Sequence, residues 1–306
     1  MQRIITKTIG LGLNLWSLLA PKQAAIAAGK IFSTPPKPRL RPKERQFLAT
    51  ARQLHREVAG QNIIEYHWGD ENAPLVLLSY GWAYNSGRWR HFVPDLIETG
   101  YRVLAYDPPG HGLASSGTLN IPINASIIRA LLEDYGTPYA IVGHSFGGSS
   151  SVYALTGLPR TLHPRRMVVM ASFSFAPRVF REYQKAFGLW SSLYWHMVRG
   201  FEKRIGHSID YFDFALMTAA FPHIEGLIVH DPSDAMTPYA ESRRYHDFWP
   251  GSHLHSPMEG GHHLGTEDIT QAVLEFVQNG EVPIEAERQE RPLYAEHELV
   301  LHFVGV

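Results

Sequence analysis

The stretch Ile141-Val142-Gly143-His144-Ser145-Phe146-Gly147-Gly148 constrains this chain more than any other. It reads as an apolar strand, a sharp turn and the first turn of a helix. A turn that tight needs small residues two before and two after its serine, because strand and helix approach closely there. It predicts a strained Ser145 whose hydroxyl stands clear of the strand. The backbone N–H of Phe146 would then lie in the first turn of the helix, where the dipole favours negative charge.

The surrounding pattern agrees. From residue 60, short β-branched runs alternate with helical ones. Ile63–Trp68 and Pro74–Ser79 read as adjacent strands, with Gly69, Asp70, Glu71 and Asn72 as the turn. Strands are further expected at Arg102–Tyr106, Tyr139–Val142, Met167–Ala171, Gly226–His230 and His253–Pro257. Helices are expected at Trp89–Glu98, Ala125–Tyr135, Phe146–Leu155, near Pro238–Phe248, and at Asp268–Gln278. Alternation of this kind predicts an α/β fold, a mostly parallel central sheet with helices on both faces. Ligands of such sheets bind beyond the carboxyl ends of the strands. Residues 173–222 interrupt the alternation with helical patterning. Thirteen of those fifty residues are Phe, Tyr or Trp against 12% in the whole chain. An aromatic helical insertion between core strands predicts a cap, most of its rings packing and a minority lining a pocket.

The N-terminus has a different character. Residues 1–43 carry eight Lys or Arg and no Asp or Glu. Through residue 60 there are eleven basic and two acidic residues, so in a chain of net charge −1 the remainder stands at −10. An acidic remainder without a basic stripe argues against nucleic acid. A basic amphipathic arm suggests a membrane surface or an acidic partner, or else an arm packed on its own domain. Leu15, Leu18 and Leu19, then Ala24, Ala25, Ala28 and Phe32, predict two short amphipathic helices around Pro21. Arg3, Lys7, the apolar run Ile9–Ala20 and Ala25-Ile26-Ala27 also have the form of a signal peptide, but the continued helical pattern favours a retained arm. The expected division is an arm over 1–59, a catalytic domain over 60–278 and a tail over 279–306. Leu299, Leu301 and Phe303 alternate in that tail as in an edge strand. The chain has no cysteine, which excludes disulfides and thiolate chemistry.

A serine hydroxyl is a weak nucleophile at neutral pH and needs a base with an orienting group. The strand Gly226–His230 runs into Asp231-Pro232-Ser233-Asp234. Asp234 is the preferred carboxylate, and Asp231 is the alternative or a turn residue. Glu259-Gly260-Gly261 precedes the pair His262-His263. His262 is the preferred base, with His263 at the pocket or facing solvent. A second oxyanion donor is expected from Ser79-Tyr80-Gly81-Trp82, as the N–H of Trp82. His111 precedes the serine and is not expected to act as the base. His253 and His255 alternate on an expected edge strand and are read as solvent-exposed. No third metal ligand accompanies them.

These residues resemble the α/β-hydrolase superfamily, in particular bacterial serine hydrolases with a helical cap. The resemblance spans about residues 60–278. It rests on Tyr80-Gly81-Trp82, Tyr106-Asp107-Pro108-Pro109-Gly110-His111-Gly112, Gly143–Gly148, His230–Asp234 and Gly260-Gly261-His262. It implies Ser145 as nucleophile, Asp234 as acid, His262 as base, and Trp82 and Phe146 as oxyanion donors. Leu13–Pro35 also resembles the retained leader of such proteins. Two positions depart from the family pattern. Tyr80 stands where the family usually has His, which makes its phenol a candidate for substrate contact together with His144 and His263. Glu259 stands where the family often has Gly.

The expected activity is ester hydrolysis by an acyl-enzyme on a small-molecule substrate with an apolar or aromatic acyl group, without cofactor or metal. Thioester cleavage, acyl transfer and C–C bond hydrolysis use the same constellation. A ligand-binding or membrane-surface protein on a hydrolase fold is the alternative of another class. Haloalkane dehalogenases and most epoxide hydrolases of this fold use an aspartate nucleophile, and Ser145 excludes that. The expected location is the cytoplasm, with peripheral membrane contact through residues 1–43.

Overall fold

The computed structural model describes residues 2–36 and 39–288. They form two compact units, one of residues 2–35 and 175–213, the other of residues 36, 39–174 and 214–288.

The larger unit is built on one sheet. Its strands are β1 (Arg52–Val58), β2 (Gln61–Trp68), β3 (Leu75–Ser79), β4 (Arg102–Asp107), β5 (Ala140–His144), β6 (Arg166–Met170), β7 (Glu225–Val229), β8 (His253–His255) and β9 (Glu287–Arg288). Their order is β1-β2-β4-β3-β5-β6-β7-β8-β9. The run from β4 to β8 is parallel, while β1, β2 and β9 pair antiparallel at the two sides. β3, β5 and β6 are buried along their whole length, as strands covered on both faces must be. On one face Val76, Leu78, Val142, Val168, Met170 and Val229 pack against Trp89, Phe92, Val273 and Phe276.

Several expectations change here. β2 and β3 are not neighbours, because β4 lies between them and pairs with both. The chain crosses over after β3, and a local turn signal does not reveal such a crossover. Residues 36–59 do not belong with the N-terminal helices. Pro42–Leu48 is a short helix, and Arg52–Val58 is a strand joined to β2 by a two-residue hairpin. Ala59 and Gly60 have φ of 50° and 72°, as the favoured hairpin turn requires. The helix expected at Trp89–Glu98 is a 3-10 turn, Ser86–His91, followed by the helix Val93–Glu98. β8 is not an edge, because β9 covers it. His255 is therefore buried and His253 half-buried. Leu299, Leu301 and Phe303 lie outside the described residues.

The smaller unit is helical. Its N-terminal helices, Gln2–Leu19 and Pro21–Ser33, break at Pro21, which fits the first position of a helix but not its interior. They pack on the helices Ala176–Phe187 and Ser191–Ile205. The core combines Leu13, Ala24, Ala25 and Ala28 with Phe180, Leu193, Tyr194 and Met197. Phe32 lies 4.8 Å from Phe180 and 4.9 Å from Tyr183, ring to ring. Much of the aromatic excess of 173–222 is thus engaged with the N-terminal helices. No helix among the described residues is long and apolar enough to cross a membrane.

Candidate active site

Ser145 follows β5 and precedes the helix Phe146–Thr156. Its backbone sits at φ 52°, ψ −123°, a conformation that costs a non-glycine residue about 1–3 kcal/mol. Fixed surroundings hold it there. Its N–H donates to the Met170 carbonyl at 2.7 Å. A Cβ on Gly147 would overlap the carbonyls of Ser79 and Tyr80, so the helix start lies directly against the end of β3.

His262 sits in a 3-10 turn, Gly261–His263, beyond β8. Its Nε2 is 3.1 Å from Ser145 Oγ, and its Nδ1 is 2.8 Å from Asp234 Oδ2. A carboxylate only accepts, so Nδ1 carries the proton and Nε2 is free to accept from the serine hydroxyl. Asp234 is buried. Its Oδ1 accepts from the N–H groups of Met236 at 2.7 Å and Thr237 at 3.0 Å, which fixes the carboxylate plane. His230 backs the same loop, its Nε2–H donating to the Thr237 carbonyl at 2.9 Å and its Nδ1 accepting from the Ser242 hydroxyl at 2.6 Å. Burial pushes His230 below the usual imidazole range and keeps it neutral.

Three further groups fasten the histidine loop. Asp231 Oδ2 accepts from the Gly261 N–H at 2.6 Å, while its Oδ1 accepts from the Ser233 N–H and hydroxyl, each at 2.7 Å. Burial alone would raise the Asp231 carboxyl, but these donors outweigh it and lower the pKa. The residue considered as the alternative acid thus ties one loop to the next. His144 Nε2–H donates to the His262 carbonyl at 2.7 Å, and Arg88 Nη2 donates to the His263 carbonyl at 2.6 Å. Burial brings the Arg88 guanidinium down to about 10.

The loop after β3 is built with similar redundancy. Among the described residues, neither the Trp82 nor the Phe146 backbone N–H meets an acceptor. Their rings lie 5.4 Å apart. Ala83 follows at φ 58°, and its N–H donates to His111 Nε2 at 2.9 Å. The His111 Nδ1–H must then donate to the Pro109 carbonyl, at 3.0 Å. Burial lowers the His111 pKa and keeps this tautomer neutral. Beneath the loop, buried Asp107 accepts from Tyr66, Tyr80, Ser86 and Leu113. The phenols of Tyr66 and Tyr80 approach at 2.8 Å, and the N–H groups of Ser86 and Leu113 and the Ser86 hydroxyl at 2.9 Å.

The structure therefore brings Ser145, His262, Asp234, Trp82 and Phe146 into one constellation. It engages two of the three expected substrate contacts, Tyr80 and His144, in other hydrogen bonds. The Tyr80 hydroxyl is engaged with Asp107, and Tyr80 is buried. His144 is buried and donates to the backbone of His262. His263 is exposed and lies outside the hydrogen-bonded line. Arg88 escaped sequence reasoning, since a single arginine in a 3-10 turn has no motif. Among the described residues, no group of three His, Cys, Asp or Glu could hold a metal.

A model of the alpha/beta hydrolase family matches residues 75–278. A bifunctional esterase/perhydrolase of Acinetobacter calcoaceticus is 28% identical over 115 residues, 37% of this chain and 42% of its own length. Epoxide hydrolase B of Mycobacterium tuberculosis is 34% identical over 117 residues, 36% of this chain and 31% of its own. The chain thus spans less than half the length of these relatives. An esterase structure from Exiguobacterium antarcticum superposes with a TM-score of 0.56 at 16% identity, over 74% of this chain and 98% of that one. That likeness is one of fold.

Proposed function

Because the chain belongs to the alpha/beta hydrolase family, we propose that it is a serine hydrolase cleaving carboxylic esters through an acyl-enzyme. One observation carries the proposal: the unbroken hydrogen-bonded line from Ser145 Oγ through His262 to buried Asp234. In the proposed reaction His262 Nε2 takes the serine proton as Oγ attacks the ester carbonyl. The oxygen that becomes negative faces the N–H groups of Trp82 and Phe146. His262 then returns the proton to the departing alcohol, leaving the acyl group on Ser145. A water molecule, deprotonated by the same imidazole, releases the acid. Asp234 holds the imidazole in the productive tautomer and stabilises its cationic form. A serine at the elbow argues against the epoxide-opening chemistry named for one relative.

The paired rings of Trp82 and Phe146 beside the nucleophile support an apolar or aromatic acyl group. The test is hydrolysis of a panel of p-nitrophenyl esters of increasing chain length. Turnover of at least one ester, lost in Ser145→Ala, is expected. Turnover of thioesters alone would replace the ester reading.

A further inference from the structure

The helix Gln2–Leu19 is oriented in an unusual way. The face turned toward its own unit carries Gly10, Leu13 and Asn14, while most of the large apolar side chains face solvent. Ile4, Leu11, Leu15, Trp16, Leu18 and Leu19 are between 44% and 90% exposed. The orientation is specified by contacts on the inner face. Asn14 is buried, its Nδ2 donating to the Gly188 carbonyl and its Oδ1 accepting from the Trp190 N–H, both at 2.9 Å. Lys7 Nζ donates to the Lys185 carbonyl at 2.5 Å. Gly10 lies so close to the Phe187 carbonyl that a Cβ would overlap it. Rotating the helix to bury its leucines would leave Asn14 and two backbone groups of the 188–190 turn without partners, at a cost each. The outward apolar face is therefore built in.

We infer that this face is a docking surface for an anionic lipid bilayer. Two properties of the unit select that occupant. The first is charge. Residues 1–35 and 175–213 carry ten Lys or Arg against four Asp or Glu, while the chain as a whole has 28 against 29. The N-terminal helices carry no acidic residue. A second copy of this chain would bring the same positive unit against itself, whereas anionic headgroups complement it. The second is shape and composition. Eighteen residues make a rod about 27 Å long, with an exposed apolar strip along it. Trp16, Trp190 and Trp195 are all exposed, and tryptophan favours the headgroup boundary. A helix of this kind lies in the interface plane, its apolar face about 5–10 Å deep. The inference does not depend on the catalytic proposal.

The test is flotation of the full chain with vesicles of phosphatidylcholine and phosphatidylglycerol in equal parts, and with phosphatidylcholine alone. The expected result is recovery with the mixed vesicles at low salt, falling at high salt, and at least about tenfold less with neutral vesicles. The double variant Leu15→Asp/Leu18→Asp should abolish flotation while keeping the wild-type melting curve, because both side chains face solvent. No flotation of the wild type, or flotation unaffected by the variant, overturns the proposal. Equal recovery on neutral vesicles overturns the assigned lipid chemistry. A dimer by light scattering that the variant dissolves, without vesicle binding, assigns the face to a second copy instead.

Discussion

The imidazole of His144, the residue immediately before Ser145, donates from Nε2 to the backbone carbonyl of His262 at 2.7 Å. Strand β5 thus ends on a clamp for the imidazole that faces Ser145, the residue just beyond the strand. The contact fixes the separation of Ser145 Oγ and His262 Nε2 without touching either atom. His144→Ala should lower kcat by about 10–100-fold with little change in KM, because misplacement by about 1 Å has such effects. His144→Gln, whose Nε2–H occupies a similar position, should recover most of the loss. Steady-state kinetics on a turned-over ester separates these outcomes. Equal loss in both variants would indicate a packing role.

Tyr80→Phe tests the floor of the loop after β3. It removes one of five donors to buried Asp107 and leaves the ring in place. A buried acceptor that loses a partner costs about 1–3 kcal/mol, so chemical denaturation should show a drop of that size. If the loop holds its N–H groups through this contact, kcat falls as well. An unchanged midpoint would remove Tyr80 from the network.

Acid should destabilise the protein in a defined direction. His111, His144 and His230 are buried, and burial lowers all three pKa values. In the unfolded chain each returns to about 6.5. Below that value the unfolded state binds protons that the folded state refuses. Stability is therefore fully present above about pH 6.5 and declines as pH falls, by up to about 1.4 kcal/mol per pH unit for each histidine. Urea midpoints at pH 7.5 and 5.5 measure this, with the lower midpoint at 5.5. Equal midpoints would contradict neutral, buried imidazoles.

Gly147→Ala should be severely destabilising, since its Cβ would meet the backbone of Ser79 and Tyr80, which cannot move without displacing β3. Loss of the cooperative melting transition, or a large fall in its midpoint, is the expected readout.

The elbow and the strand-end loops were legible because geometry dictates residue type there. Gly143 and Gly147 are demanded by close approach, and Asp234 follows the apolar run of β7, whereas His262 follows a weak three-residue strand and was marked by the two glycines before it. β1 was not legible. Arg52–Val58 is a largely exposed edge strand whose charged residues follow no apolar period. The insertion of β4 between β2 and β3 was equally hidden, because strand pairing is a tertiary choice. The clamps made by His144 and Arg88 end on backbone carbonyls, which any residue supplies, so no motif marks them. On the helix Gln2–Leu19 the apolar stripe alone does not say which face packs, since Asn14 and Gly10 decide its orientation.

The central claim is that Ser145 is an activated nucleophile. Intact mass after incubation with a fluorophosphonate tests it most directly. The account predicts one covalent adduct per chain on the wild type, mapped to the peptide holding Ser145, and none on Ser145→Ala. No adduct on the folded wild type, or an adduct that persists in Ser145→Ala, would contradict it.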